Sequence, residues 1–509
     1  VPENITLLPE IFQNAGYYTV LGGPQWDGDG IGLSKSDYNF IWDENIYNGN
    51  DWREATQDKP FFAQIQLGGG KKREWEVDNP VSMQEVNLPP YYPDHPVIKQ
   101  DWADYLNTIK LLDQQIDTIL ENLEASGEAE NTLVFLFTDH GVSHLRGKQF
   151  LYDEGIRIPL LVKWPGNIEA GKRRNDLVHH LDIVATSLWA ANISIPDFIQ
   201  GNSFLAENYE PRSFIFSGRD RADETVDIIR SIRTERFKYI RNFYPHRPHA
   251  QPNQYKDGKE ITQTMRSLYQ QGELDSLQAS MFTPTRPAEE LYDLKNDPYE
   301  TINLAKRPEY ADQLRSMRET LFTKMKSSRD MGRIPEPILE DLGKEYGSKY
   351  AAIQQIDING IIEKIRKIKV AGDLNENIPA LLEGLNSDVP SVRYWAVNSL
   401  GDNASSDEAI VNAIKDLLDD EVGTVRIEAA SALFKLNEGK DNDCLEVLID
   451  QMDSENYLER LYAIRAMESI GEKAVPAADL INEKQNGEYE YVRRIAKRML
   501  NKPYFQEVN

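Results

Sequence analysis

Thr132-Leu133-Val134-Phe135-Leu136-Phe137-Thr138-Asp139-His140-Gly141 is the stretch on which the reading of this chain turns. Its first six residues form a continuous apolar run rich in branched and aromatic side chains, the pattern of a strand buried on both faces. Asp139 and His140 then stand at the carboxyl end of that strand, where ligands collect in an open parallel sheet. A lysine follows a few residues later, in Arg146-Gly147-Lys148-Gln149-Phe150-Leu151-Tyr152-Asp153-Glu154-Gly155-Ile156-Arg157-Ile158-Pro159. A carboxylate and an imidazole at a strand tip, with an ammonium close behind, predict metal-assisted chemistry on an anionic group.

Working outward, Asp104 to Leu123 places Tyr105, Ile109, Leu112, Ile116, Ile119 and Leu120 at helical spacing and predicts an amphipathic helix feeding that strand. Residues 1–210 alternate strand-like and helical runs, which predicts an α/β layer with a central, mostly parallel sheet. Over 211–330 the pattern changes: 226–233 and 237–243 read as two short strands around a polar turn, an antiparallel hairpin in a small α+β subdomain. A linker with helices is expected over 331–375. From 376 to 509 the chain repeats. Val392-Arg393, Val425-Arg426, Glu459-Arg460 and Val492-Arg493 each precede an alanine three residues on, and the arginines recur at spacings of 33, 34 and 33. A fixed period of that length predicts stacked helix pairs, similar to short HEAT-like repeats, that pack as a spacer or present a protein or glycan contact surface.

With 509 residues, 40% hydrophobic and 28% charged, the chain holds enough apolar material for more than one core. No apolar run reaches the length that crosses a bilayer, about 18 residues. A net charge of −26 argues against nucleic acid and anionic membranes as partners. It also conflicts with a polyanionic substrate, unless basic residues gather locally. The single cysteine, Cys444, excludes an intramolecular disulfide framework.

An ordered set of segments resembles the type I, formylglycine-dependent sulfatases of the alkaline-phosphatase-like superfamily, in particular the sulfamidase (heparan N-sulfatase) branch. Besides the Asp139 and Lys148 elements, these are 6–12 with 15–20, 60–67, 177–183, the Arg219-Asp220-Arg221-Ala222-Asp223-Glu224 run, and 290–294 with Asp297-Pro298. The resemblance implies hydrolysis of sulfate esters or sulfamates on a sulfated carbohydrate, a Ca²⁺ ion, and a periplasmic or secreted protein. In the family, two acidic metal ligands and a Cys/Ser-x-Pro-x-Arg segment, the source of formylglycine, precede the point at which Val1 stands. No such segment occurs in the 509 residues, so a fragment that is inactive as it stands is expected. Phosphoester hydrolysis on the same scaffold, or a non-catalytic carbohydrate- or protein-binding module, are the alternatives.

Carried over by this resemblance, Asp139 and His140 are the metal ligands, and Lys148 is the lysine bridging sulfate and nucleophile. His144 is the candidate acid for the leaving group, and Lys35 the candidate second sulfate-binding lysine. Lys72 stands where relatives place a histidine that meets the sulfate. Arg219, Asp223 and Glu224 are candidates for sugar recognition from the subdomain.

Overall fold

The computed structural model describes residues 2, 4–23, 40–55, 59–68, 73, 75–373, 377–403, 407–436 and 442–506. A short helix, Leu8–Asn14, carries proline in its first turn, where a missing N–H costs nothing, and ends at Gly16, whose φ of +91° suits glycine. The chain then enters β1, Tyr18–Gly22, which pairs in parallel with β2, Phe61–Ile65. Val20 and Trp52 pack there against Leu123 and Ala129. The predicted amphipathic helix spans Pro96–Ala125; the His95 ring caps it by accepting from the Val97 N–H at 3.3 Å, and Pro96 sets the first turn.

β3, Val134–Phe137, pairs antiparallel with β4, Leu160–Lys163. The expectation of a strand buried on both faces is corrected here: Phe137 is 41% and Leu161 59% exposed. Among the described residues β3 and β4 form a two-stranded sheet, and the parallel pairing is that of β1 with β2. An apolar run encodes strand formation, but burial depends on which strands flank it.

The subdomain is a four-stranded antiparallel sheet in the order β5 (Ile215–Arg219), β6 (Ile229–Arg233), β7 (Phe237–Asn242), β8 (Glu289–Asp293). β6 and β7 form the expected hairpin, with Ser231 opposite Ile240, and the helix Ala311–Ser327 covers them. Where a linker with helices was expected, the described residues to 373 form Glu336–Glu345, Lys349–Gln355 and Ile358–Asp373, which pack around Ile334, Ile338, Ile353, Ile358 and Ile362.

The period near 33 corresponds to helix pairs whose second members are Pro390–Asp402, Gly423–Leu436, Tyr457–Ile470 and Glu490–Leu500. Each repeat arginine folds back on the turn before its helix and bonds the carbonyl six residues earlier: Arg393 to Ser387 (2.9 Å), Arg426 to Asp420 (2.6 Å), Arg460 to Ser454 (2.5 Å), Arg493 to Gly487 (2.9 Å). The alanines that follow, Ala396, Ala429, Ala463 and Ala496, are fully buried where helices touch. One hydrophobic core runs from Val226, Tyr239 and Phe243 of the subdomain through Trp395 into the repeats. Polar contacts cross the same seam: Tyr244 to Tyr394 (2.9 Å between hydroxyls), Trp395 Nε1 to the Arg333 carbonyl (2.7 Å) and Asn456 to the Pro337 carbonyl (3.0 Å). No helix among the described residues is long and apolar enough to cross a membrane.

Candidate functional site

The segment from Asp139 to Ile156 is a loop closed on itself. The Gly141 N–H donates to the Gly155 carbonyl (2.9 Å) and the Lys148 N–H to the Val142 carbonyl (2.7 Å). Gly141 and Gly147 are required by this closure, because a Cβ at either would run into the carbonyl oxygen of Glu154 or Val142. Gln149, directly after Lys148, holds a φ of +81°, a conformation that non-glycine residues adopt only under the constraint of surrounding contacts. Arg146 ties the loop to the subdomain, donating to the carbonyls of Tyr299 and Glu300 at 2.6 Å each, with its guanidinium 3.8 Å from the centroid of the Tyr152 ring.

At the strand tip, Asp139 and His140 come together. The His140 Nδ1 lies 2.7 Å from the Gly141 carbonyl and donates to it, which leaves the lone pair of Nε2 available, 3.5 Å from Asp139 Oδ2. An oxygen and a ring nitrogen at that separation fit two positions of a divalent-ion shell, and the Asp139 side chain is 86% exposed. No group of three or more His, Cys, Asp or Glu that could hold a metal ion gathers among the described residues. His180, which the sequence reading passed over, lies beside this tip: its Nε2 donates to the Thr138 carbonyl at 2.9 Å. Its signal was the His179-His180 pair opening the helix His180–Ala190.

Lys148 is half-buried, 5.0 Å from the centroid of the Tyr255 ring, and no carboxylate among the described residues pairs with it. His144 is corrected. It is wholly buried, stacked on Trp102 at 4.2 Å between centroids, and its Nε2 meets Asp101 at 2.7 Å. Burial pushes its pKa down to about 4, against the pull of Asp101, so near neutrality it is neutral imidazole and not an imidazolium acid, and it has no exposed face. Arg73 forks onto the same Asp101 carboxylate at 3.2 Å. Burial would raise that carboxyl, but the bonds from His144 and Arg73 outweigh it and hold it at about 2. Lys35 and Lys72 lie outside the described residues.

Arg219 is buried at the end of β5, its guanidinium 5.0 Å from the Phe150 ring centroid and 3.7 Å from Asp227, with Nε and Nη1 lacking hydrogen-bond partners. It lines a small pocket with Gln149, Phe150, His249, Asn253 and Lys256, and so does meet the loop of Lys148. Asp223 and Glu224 face the other way. Glu224 is fully buried, with Arg494 and Arg498 each 3.2 Å from its carboxylate, while Asp223 lies 4.0 Å from Arg494. Arg465 donates to the Glu224 backbone carbonyl at 2.6 Å. This correction has a plain cause: the two acids face arginines of the helical repeats and hold them to the subdomain, instead of opening toward a sugar. Sequence reading also missed Lys256 and Lys259, which hold the loop from the subdomain. Lys256 donates to the His144 carbonyl, and Lys259 to the Ser143 carbonyl (2.7 Å) and hydroxyl (2.9 Å).

Comparison with known proteins agrees with this layout. The sulfatase family model matches residues 1–193, the C-terminal model of N-sulphoglucosamine sulphohydrolase matches 140–286, and HEAT repeats match 378–468. An ulvan-active sulfatase of Formosa agariphila is 30% identical over 66% of this chain and 62% of its own length. The human N-sulphoglucosamine sulphohydrolase is 26% identical over 51% of this chain and 54% of its own. An N-acetylglucosamine-6-O-sulfatase of Bacteroides thetaiotaomicron is 26% identical over 46% of this chain and 37% of its own. The chain thus spans less than two thirds of the length of each of these relatives. Over residues 1–286 the chain is similar to sulfatases, and over 378–468 to HEAT repeats.

Proposed function

We propose that the whole protein hydrolyses a sulfate ester or sulfamate of a sulfated sugar, and that the loop 139–156 is the part of this chain that meets the sulfate. The observation that carries this reading is Lys148. Its ammonium stands in a loop locked by glycine contacts, without a carboxylate partner among the described residues, in the same loop as the Asp139–His140 pair. A compact point charge held in place without a counter-ion suits a tetrahedral oxyanion. Asp139 and His140 would hold a divalent ion, with Ca²⁺ the family's choice; such an ion withdraws charge from the sulfuryl oxygens when bound. Lys148 would orient the sulfuryl group, and Arg146 keeps the loop fixed against the subdomain. The names of the relatives, which act on ulvan, N-sulphoglucosamine or N-acetylglucosamine 6-O-sulfate, support a sulfated sugar as substrate. Polysaccharides of that kind are met outside the cytoplasm, which favours an exported protein.

The formylglycine segment is not among the 509 residues, so the reading predicts binding without turnover for this chain. Calorimetric titration with a sulfated oligosaccharide in the presence of Ca²⁺ tests it. Binding is expected to fall about tenfold or more in Lys148→Ala, the loss of one charge-assisted contact, and to weaken when Ca²⁺ is chelated. Binding indifferent to both changes would favour a non-catalytic module. Turnover by the chain alone would contradict the expectation of inactivity.

A further inference from the structure

In a chain of net charge −26, Lys148, Arg219, Lys256 and Lys259 are near neighbours at the loop 139–156. Lys148 and Lys259 both lie over the ring of Tyr255, 5.0 and 4.7 Å from its centroid. Lys256, the next residue after that tyrosine, is buried; burial drives its pKa well down, and the nearby Lys259, Arg219 and Lys148 repel its charge further, with Glu154 the carboxylate that opposes them. Lys148 has no carboxylate partner among the described residues, and an ammonium so placed favours an anion beside it. The Tyr255 hydroxyl is itself buried and has no hydrogen-bond partner. A buried hydroxyl on a ring that two ammonium groups approach, without an acceptor among the described residues, is a donor left open.

We infer that Tyr255 and Lys259 complete, with Lys148, a receptor for a tetrahedral oxyanion whose oxygens take the two ammonium groups and the phenol hydroxyl. Arg219 lies close to Lys256 and adds positive field. On the reading given above the oxyanion is the sulfuryl group of the substrate, and the inference rests on that reading. Lys259 is held by Ser143, so its ammonium is positioned in advance. Tyr255 and Lys259 flank the buried Lys256 and belong to the subdomain, so the receptor is assembled only when loop and subdomain are packed together.

The test is a titration of the 509-residue chain with sodium sulfate at fixed ionic strength, compared with Tyr255→Phe, Lys259→Gln, Lys259→Arg and Lys148→Gln. Tyr255→Phe removes an oxygen that bonds nothing in the protein, so its melting temperature is expected to stay level or rise while its sulfate affinity falls several-fold. Lys259→Gln is expected to lose about tenfold, and Lys259→Arg to keep most of the affinity. Unchanged affinity in both Tyr255→Phe and Lys259→Gln, with loss in Lys148→Gln, overturns the inference and leaves the role of Lys148 standing. Unchanged affinity in Lys148→Gln, or no sulfate binding by the unaltered chain, overturns both. Loss of affinity in Tyr255→Phe together with a fall in melting temperature overturns the anion-donor role of the hydroxyl, which would then be structural.

Discussion

Burial decides what the histidines of this chain can do. His144 reads in sequence as a candidate acid, because it falls within the loop of Lys148 and imidazole titrates near neutrality. Its neighbours in space, Trp102, Tyr105, Asp101 and Arg73, come from segments whose meeting no local pattern announces. A ring held at about 4 in the folded chain takes up its proton near 6.5 once unfolded. The unfolded state therefore binds more protons between those values, and stability, fully present above pH 6.5, is lost as pH falls toward 4. His249, also held at about 4 by burial, acts in the same sense. Urea unfolding of the unaltered chain is expected to give a lower free energy at pH 5 than at pH 7.5, with a smaller difference in His144→Gln. The comparison cancels the changing repulsion of the acidic surface, and an equal difference in the two proteins would contradict the account. By contrast, that Asp139, His140 and Lys148 share one loop was legible, because they sit in one short stretch of sequence.

Among elements, periodic ones were legible and partnered ones were not. The helix Pro96–Ala125, the β6–β7 hairpin and the repeat helices appear where apolar spacing placed them. β3 was read correctly as a strand but wrongly as doubly buried, because its neighbours are set by topology. The repeat arginines are intermediate: their spacing was visible, while their task, bonding the carbonyl six residues earlier, emerges only from the turn that precedes each helix. Arg393 does more, forking onto the buried Asp420 of the next turn at 2.7 and 2.9 Å. Breaking a buried pair leaves its partner's charge unanswered, so Arg393→Ala is expected to cost about 3 kcal/mol. Arg493→Ala, which loses bonds to backbone carbonyls, is expected to cost about 1 kcal/mol. Chemical denaturation of the two variants checks the order; equal costs would show that stacking, and not the pair, holds the turn.

Across the whole molecule, the helical repeats act as a buttress for the sulfatase subdomain. The shared core around Trp395 and the grip of Arg465, Arg494 and Arg498 on Glu224 make the two regions one packed body. Glu224 also accepts from the Gln254 N–H at 2.6 Å, two residues from the lysine that bonds the His144 carbonyl, so the repeats bear indirectly on the loop. Scanning calorimetry is expected to give one transition for subdomain and repeats together, shifted down in Glu224→Gln; two well-separated transitions would contradict a common core. The proposed anionic substrate would meet Lys148, Lys259 and Arg219 locally, in a chain of net charge −26. The central claim, that this loop receives a sulfate, is tested most directly by a crystal structure of the chain grown with Ca²⁺ and sulfate. The account predicts a sulfate in hydrogen-bond contact with Lys148 Nζ and a cation between Asp139 and His140; well-ordered sulfates elsewhere, with Lys148 unaccompanied, would contradict it.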